Sequence, residues 1–159
     1  MGKRRLAREL ALQMLYQHDL GGASPEEIAA SFALEAFQGE QEVGEAEAAP
    51  SASRLAEAPE ALAHALRLVA GTLAHLDEID ALIRMQAEHW RLERMPPVDR
   101  NVLRLAIHEL LCEVEVPKLV VVDEAVDLAK KYGAEQSGRF VNGLLDGLLK
   151  SHDFPGSLT

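Results

Sequence analysis

The chain has 159 residues, of which 48% are apolar, and a formal net charge of −10. This length favours one domain that buries a core without disulfides or metal, and the single cysteine excludes an internal disulfide. The N-terminus lacks the apolar core of a secretory signal, and no apolar run approaches the ~20 residues needed to cross a bilayer. We therefore expect a cytoplasmic protein without membrane contact.

Charge is distributed unevenly along the chain. Residues 35–60 include seven acids and one base, whereas the first eight residues contain Lys3, Arg4, Arg5 and Arg8 and no acid. A local basic patch is enough to bind phosphates. The negative total charge therefore does not exclude a nucleic-acid partner.

The composition, rich in alanine and leucine and poor in β-branched runs, predicts an all-α fold. Apolar periodicity and capping residues predict about seven helices and no strand. The predicted helices cover residues 3–18, 24–37, 60–75, 78–90, 97–112, 123–132 and 137–150.

The second predicted helix has a clear start signal. Ser24 is expected as N-cap, Pro25 as the first helical residue, and Glu27 as the partner that closes a capping box. Residues 38–54, which follow that helix, are acidic and have almost nothing to bury. They predict a flexible insert in an otherwise single domain.

Residues 97–112 form the most apolar predicted helix. Apolar side chains cover well over half of its circumference, which is typical of a helix with others packed around it. A narrow polar strip contains Arg100, Asn101, Arg104 and His108, and we expect Asp99, Arg100 and Arg104 to lie along its exposed part.

Smaller signals delimit the remaining helices. Asp77 is expected to cap the fourth helix, and residues 120–122, three valines, are expected to be an extended entry into the sixth. Gly133 is expected as the glycine that follows the sixth helix, and Ser137 as the cap of the last.

No residue set predicts catalysis. His108 and Cys112 are spaced as metal ligands on a helix, but they lack companion ligands, so structural packing is the favoured interpretation. The acidic end of residues 120–124 lacks the glycine-rich phosphate loop of a nucleotide hydrolase, and no serine lies in a nucleophile elbow. We predict a protein that is not an enzyme and has no cofactor and no metal.

Two basic sets are better candidates. Arg4, Arg5 and Arg8 lie near a helix N-terminus, where cations oppose the helix dipole unless an anion binds them. A solvated basic tail is the open alternative. Lys130, Lys131 and Arg139 flank Phe140, a combination that suits single-stranded nucleic acid. For Phe140 the open alternative is a place in the core.

Several segments also match a known pattern in chain order, over nearly the whole chain except the acidic insert. They read RRLARE (4–9), WRLERM (90–95), VDRNVLRLA (98–106), VPKLVVVDEA (116–125), LAKKYG (128–133) and SGRFVNGLLD (137–146). Together these segments resemble the NusB family of bacterial transcription antitermination factors.

The resemblance implies an all-α fold of about seven helices in two packed helical subdomains. It also implies binding to boxA RNA of ribosomal RNA leader transcripts together with the ribosomal protein NusE. It also implies action with other Nus factors and RNA polymerase in antitermination and rRNA maturation. The residues that it implies for RNA contact are Arg4, Arg5, Arg8, Arg139 and Phe140, and we add their neighbours Lys3, Lys130 and Gln136 to the predicted RNA-binding set. Tyr16 and Asp99 are expected towards NusE, and Arg100 and Arg104 towards a partner.

Two features depart from the family pattern. Gln136 stands where relatives often have aspartate, and the insert at 38–54 is unusually long and acidic. The insert leaves open whether the chain forms a homodimer. The alternative function is a protein-interaction scaffold with weak, non-specific affinity for RNA. A fused RNA methyltransferase would require a further domain with a cofactor-binding sheet, so we expect a stand-alone binding factor.

Overall fold

A computed structural model describes residues 3–28, 30–31 and 59–159. Every regular element in these ranges is a helix, which confirms the predicted all-helical fold. The helices are α1 (Lys3–Gly21), α2 (Pro59–Ala74), α3 (Leu76–Gln86), a 3₁₀ turn (Leu92–Arg94), α4 (Pro97–Cys112), α5 (Lys118–Tyr132) and α6 (Ser137–Ser151). None of these described helices has the length and apolar character needed to cross a membrane.

The chain divides into two compact units, residues 1–70 and 71–159. In the first unit, α1 buries Ala7, Leu10, Ala11 and Met14 completely, as their spacing on one helical face predicts. The helix ends at Gly21, and Gly22 has a φ of 70°. Glycine adopts that left-handed conformation at little cost, which explains why the helix ends there.

The predicted capping box is confirmed. The backbone N–H of Glu27 donates to Ser24 Oγ at 3.1 Å, and the N–H of Ser24 donates to Glu27 Oε2 at 3.4 Å. Residues 25–28 are helical. The remainder of this predicted helix, from residue 32, and the predicted insert at 38–54 lie outside the described residues.

In the second unit, α4 has the bounds predicted from the sequence and is the central helix. Val102, Leu103 and Ile107 on α4 are completely buried. The helix packs against α3, α5 and α6. Burial of each such side chain contributes about 1.5–3 kcal/mol, so α4 is the main contributor to this unit's core.

The predicted boundaries of α3 are wrong at both ends. Asp77 is not its cap: the helix begins at Leu76, and His75 precedes it without a capping hydrogen bond from its side chain. Asp77 lies in the first turn, where its charge suits the helix dipole. The helix ends at Gln86, so Trp90 lies in the following loop instead of on the helix.

The expected extended entry at residues 120–122 is also wrong, because α5 begins at Lys118 and includes all three valines. Val121 and Val122 are buried, with 1% and 5% of their surface exposed. The helix propensity of a β-branched residue is lower than that of alanine by only about 0.7 kcal/mol or less. Burying a valine side chain contributes more than this, so tertiary packing decides the conformation.

The C-terminal tail provides hydrogen-bond acceptors for two backbone N–H groups in the first turn of α5. The N–H of Lys118 donates to Ser157 O at 2.9 Å, and the N–H of Leu119 donates to Leu158 O at 3.1 Å. These are N-terminal donors that a helix cannot pair internally. Phe154, 2% exposed, anchors the tail in the core.

The turn between α5 and α6 is close-packed. Gly133 directly follows α5, as predicted, with a φ of −96°. A Cβ at Gly133 would lie 2.5 Å from Ser137 Oγ and 2.7 Å from Ala129 O, and glycine is needed for this close approach. Ser137 is not the N-cap of α6, since Gln136 holds that position. Instead, Ser137 Oγ accepts a hydrogen bond from the N–H of Ala134 at 2.9 Å.

Candidate nucleic-acid interface

The first candidate surface is the N-terminus of α1. Lys3, Arg4 and Arg5 are exposed there, and the first turn of the helix contains no acid. The ammonium group of Lys3 pairs with the carboxylate of Glu60, and this hydrogen bond and charge lower the pKa of Glu60. Because both side chains are well exposed, a phosphate can compete with Glu60 for Lys3 at little cost.

Arg8 does not belong to this exposed set, which corrects the sequence expectation. Only 4% of its surface is exposed. It shares a helical face with Leu12 and Leu15, which are buried as well. A phosphate outside the protein has little access to this guanidinium.

The second candidate surface is the corner between α5 and α6. Lys130, near the end of α5, crosses Gly138 of α6 so closely that a Cβ there would lie 2.7 Å from Lys130 Cγ. Gln136 and Arg139 are exposed at this corner, and Phe140 is half-buried. The structure therefore brings together the four predicted contact residues of this unit.

Sequence reasoning missed Trp90 as a residue of this surface. Its ring lies edge-on to Phe140, with the ring centroids 6.3 Å apart and an interplanar angle of 66°. The signal that could have identified it was its position six residues before Pro96 and outside any apolar stripe. An open depression of about 360 Å³ is lined by both aromatic residues and by Arg139.

The polar strip of α4 is buried, and the expectation that it is exposed is wrong. Asp99 and Arg100 expose 4% and 9% of their surfaces. Arg100 Nη1 donates to the carbonyl oxygens of Leu92 and Met95 at 3.2 and 3.4 Å, which holds the 3₁₀ turn against α4. This contact gives Arg100 a structural role within the unit.

Arg104 is likewise engaged inside the unit. Its Nε and Nη2 donate to the two carboxylate oxygens of Asp80 on α3, at 2.9 and 3.0 Å. Both side chains are only 11% exposed. A helical wheel of α4 places Arg104 on the polar face of the helix. It does not show that Asp80 of α3 covers this face.

Tyr16 is the most accessible of the predicted partner residues. It lies on α1 with 38% of its surface exposed. Its role towards NusE stays a prediction, as does that of the nearly buried Asp99.

His108 belongs to the core. Its ring stacks on that of His75, with centroids 6.4 Å apart and an angle of 17°. Burial, together with the charge of His75, lowers the pKa of His108 to about 4, so the ring is neutral at pH 7. Cys112 is exposed, and no cluster of three or more potential metal ligands occurs among the described residues.

Comparisons with known proteins agree on one family. The sequence matches the model of the NusB family over residues 5–150. It is 44% identical over 146 residues to the transcription antitermination protein NusB of Sorangium cellulosum, covering 92% of this chain and 91% of that protein.

Two solved structures show the same fold. The solution structure of NusB from Aquifex aeolicus is 31% identical, with a TM-score of 0.72 over 95% of this chain and 90% of that one. A crystal structure of the antitermination factors NusB and NusE in complex with dsRNA is 30% identical. Its TM-score is also 0.72, over 96% of this chain and 99% of the matched chain.

Proposed function

The chain belongs to the NusB family, and we propose that it is an RNA-binding transcription antitermination factor that acts with NusE on boxA RNA. The observation that carries this proposal is the family match across residues 5–150, which includes Arg5 of the α1 surface and all of the α5–α6 corner. The solved complex of a family relative with NusE and RNA supports the same two partners.

The described surfaces suit this function. Exposed cations at the start of α1 and at the α5–α6 corner provide phosphate contacts despite the net charge of −10. The half-buried Phe140 adds a ring on which an unpaired base can stack. The protein works by binding rather than by catalysis, in the cytoplasm, where bacterial transcription takes place.

A titration of boxA RNA and of a scrambled RNA, each with and without NusE, tests the proposal. We expect tighter binding to boxA, and a further gain when NusE is present. Equal binding of both RNAs in both conditions would contradict the proposal and support a scaffold with incidental RNA affinity.

The N-terminal cations are tested by the double variant Arg4→Ala/Arg5→Ala. Each phosphate contact that is lost should lower the slope of log affinity against log salt by about 0.7 for a single strand. Arg67→Ala is the matched control, because Arg67 is an exposed arginine of the same unit outside the predicted surface. Arg8 is left unchanged, since replacing a buried arginine would alter the fold as well as the charge. If the double variant and the control bind boxA equally, the assignment of the α1 surface is wrong.

A further inference from the structure

The only tryptophan of the chain lies on its surface. Trp90 is 61% exposed, although large aromatic side chains are usually well covered. A turn fixes its backbone, since the N–H of Trp90 donates to Ala87 O at 3.1 Å. Phe140 contacts the ring from the side. An exposed ring that is held in position is typical of a binding surface rather than of a frayed loop.

The open depression beside Trp90 has the size of a site for one small planar group. Its volume of about 360 Å³ lies near the lower end of the ~300–1,000 Å³ typical of ligand pockets. Gly143 of α6 forms part of its lining, and a Cβ at Gly143 would meet no heavy atom within 4 Å. Any larger residue at this exposed helical position would extend into space that the glycine leaves open.

The polar groups around the depression match a nucleotide. Arg139 provides a guanidinium that binds a phosphate. Glu88 provides an acceptor for the exocyclic amino group of a base, and His89 adds a polar ring. Two aromatic rings beside a guanidinium are the combination that proteins use to hold unpaired bases.

We propose that this depression, the Trp90 slot, holds one unpaired nucleobase of the bound RNA, stacked on Trp90 and Phe140 with its phosphate on Arg139. This inference rests on the proposed function and specifies how one base is held. Trp90 is thereby a binding residue in its own right, separate from the basic N-terminus of α1.

Fluorescence of Trp90 reports on the slot directly, because no other tryptophan contributes. We expect single-stranded boxA RNA to quench the emission of the full chain. A fully base-paired RNA of the same sequence and inorganic phosphate should leave it nearly unchanged, since neither offers an unpaired base.

Gly143→Leu is the decisive variant because it fills the slot while leaving every lining side chain in place. Since stacking of a base is worth about 1–3 kcal/mol, we expect a loss of roughly 5- to 150-fold in RNA affinity and loss of the quenching. Asn142→Leu is the matched control: it adds the same side chain at the exposed neighbouring position, outside the lining. Trp90→Ala should lose affinity to a similar extent, and Trp90→Phe should retain most of it.

The outcomes separate the slot from the general function. If Gly143→Leu and Trp90→Ala bind boxA RNA as the parent does, while Arg4→Ala/Arg5→Ala binds weakly, the slot is refuted and the function stands. If NusE alone quenches Trp90 and Trp90→Ala weakens NusE binding without RNA, the slot is a protein contact and the proposal is overturned. If the parent does not prefer boxA even with NusE, the function fails and the slot with it.

Discussion

Replacing Asp80 with asparagine tests whether Arg104 stabilises the fold or serves a partner. Arg104 donates two hydrogen bonds to the Asp80 carboxylate, and both side chains are 11% exposed. Asparagine keeps the shape of the side chain but removes its charge and replaces one acceptor with a donor. The guanidinium would then lie nearly buried opposite an amide.

The expected cost follows from this burial. Removing one partner of a buried ion pair costs roughly 3–5 kcal/mol, whereas exposed pairs contribute about 1 kcal/mol or less. Arg104 retains a hydrogen bond to Asn101 Oδ1 at 3.3 Å and some contact with solvent, which reduces the penalty. We therefore expect a loss of about 2–4 kcal/mol in the free energy of unfolding. For a chain of this length, that corresponds to a fall of roughly 5–15 °C in Tm.

Urea unfolding followed by circular dichroism measures this loss. Asp146→Asn is the matched control: Asp146 pairs with Lys150 at 3.0 Å, but the two side chains are 56% and 77% exposed. The control should change stability by less than about 0.5 kcal/mol. If Asp80→Asn were as mild as the control while Arg104→Ala weakened NusE binding, Arg104 would be a partner residue and our assignment would be wrong.

Three further outcomes are expected. His108 has a pKa of about 4 when folded against 6.5 when unfolded, so the unfolded chain takes up the proton first and stability falls as the pH drops from 6.5 towards 4. The loss in the free energy of unfolding approaches about 2–3 kcal/mol. Urea titrations should show that His108→Gln is less stable than the parent at pH 6.5 and that this difference shrinks as the pH falls towards 4. A difference that stays constant would show that protonation of His108 does not cause the loss. Gly71→Ala should destabilise the protein by about 1–3 kcal/mol, because the added Cβ would lie 2.3 Å from His108 Cε1. Gly143→Ala adds its Cβ in open space and should stabilise the protein by about 0.5–1 kcal/mol. If both variants shifted Tm in the same direction, this reasoning would be refuted. Ser137→Ala should lower the free energy of unfolding by about 1–2 kcal/mol, because it removes the buried acceptor of the Ala134 N–H. It should also weaken RNA binding at the α5–α6 corner. Unchanged stability and unchanged RNA affinity would show that this hydrogen bond does not hold the corner in place.

Local signals account for what the sequence predicts well. Pro97 and the dense apolar pattern after it define α4 from end to end, and Ser24 and Glu27 define a capping box through contacts only three residues apart. The signals of α3 are weaker: no glycine or proline marks its end at Gln86, so the sequence predicts a helix that continues to Trp90, four residues too far.

Contacts between distant residues account for what the sequence does not show. The polar strip of α4 was expected to be exposed because a helical wheel gives the direction of a side chain but not what covers it. The cover is supplied by Asp80, which lies 24 residues away from Arg104. Similarly, Trp90 and Phe140 are separated by 50 positions, and only the packing of α3 against α6 brings their rings together.

Arg100, a buried arginine of α4, connects the core helix to the loop that contains Trp90. Arg100 Nη1 holds the carbonyl oxygens of Leu92 and Met95, and thereby fixes the 3₁₀ turn that begins two residues after Trp90. A lysine cannot reach several carbonyls with a planar fork, so the residue type suits the position. On the other side of the slot, the turn closed by Ser137 sets the start of α6 and hence the place of Phe140. The polar strip that looked like a partner surface in the sequence thus contributes to binding indirectly, by holding one wall of the slot against the core helix.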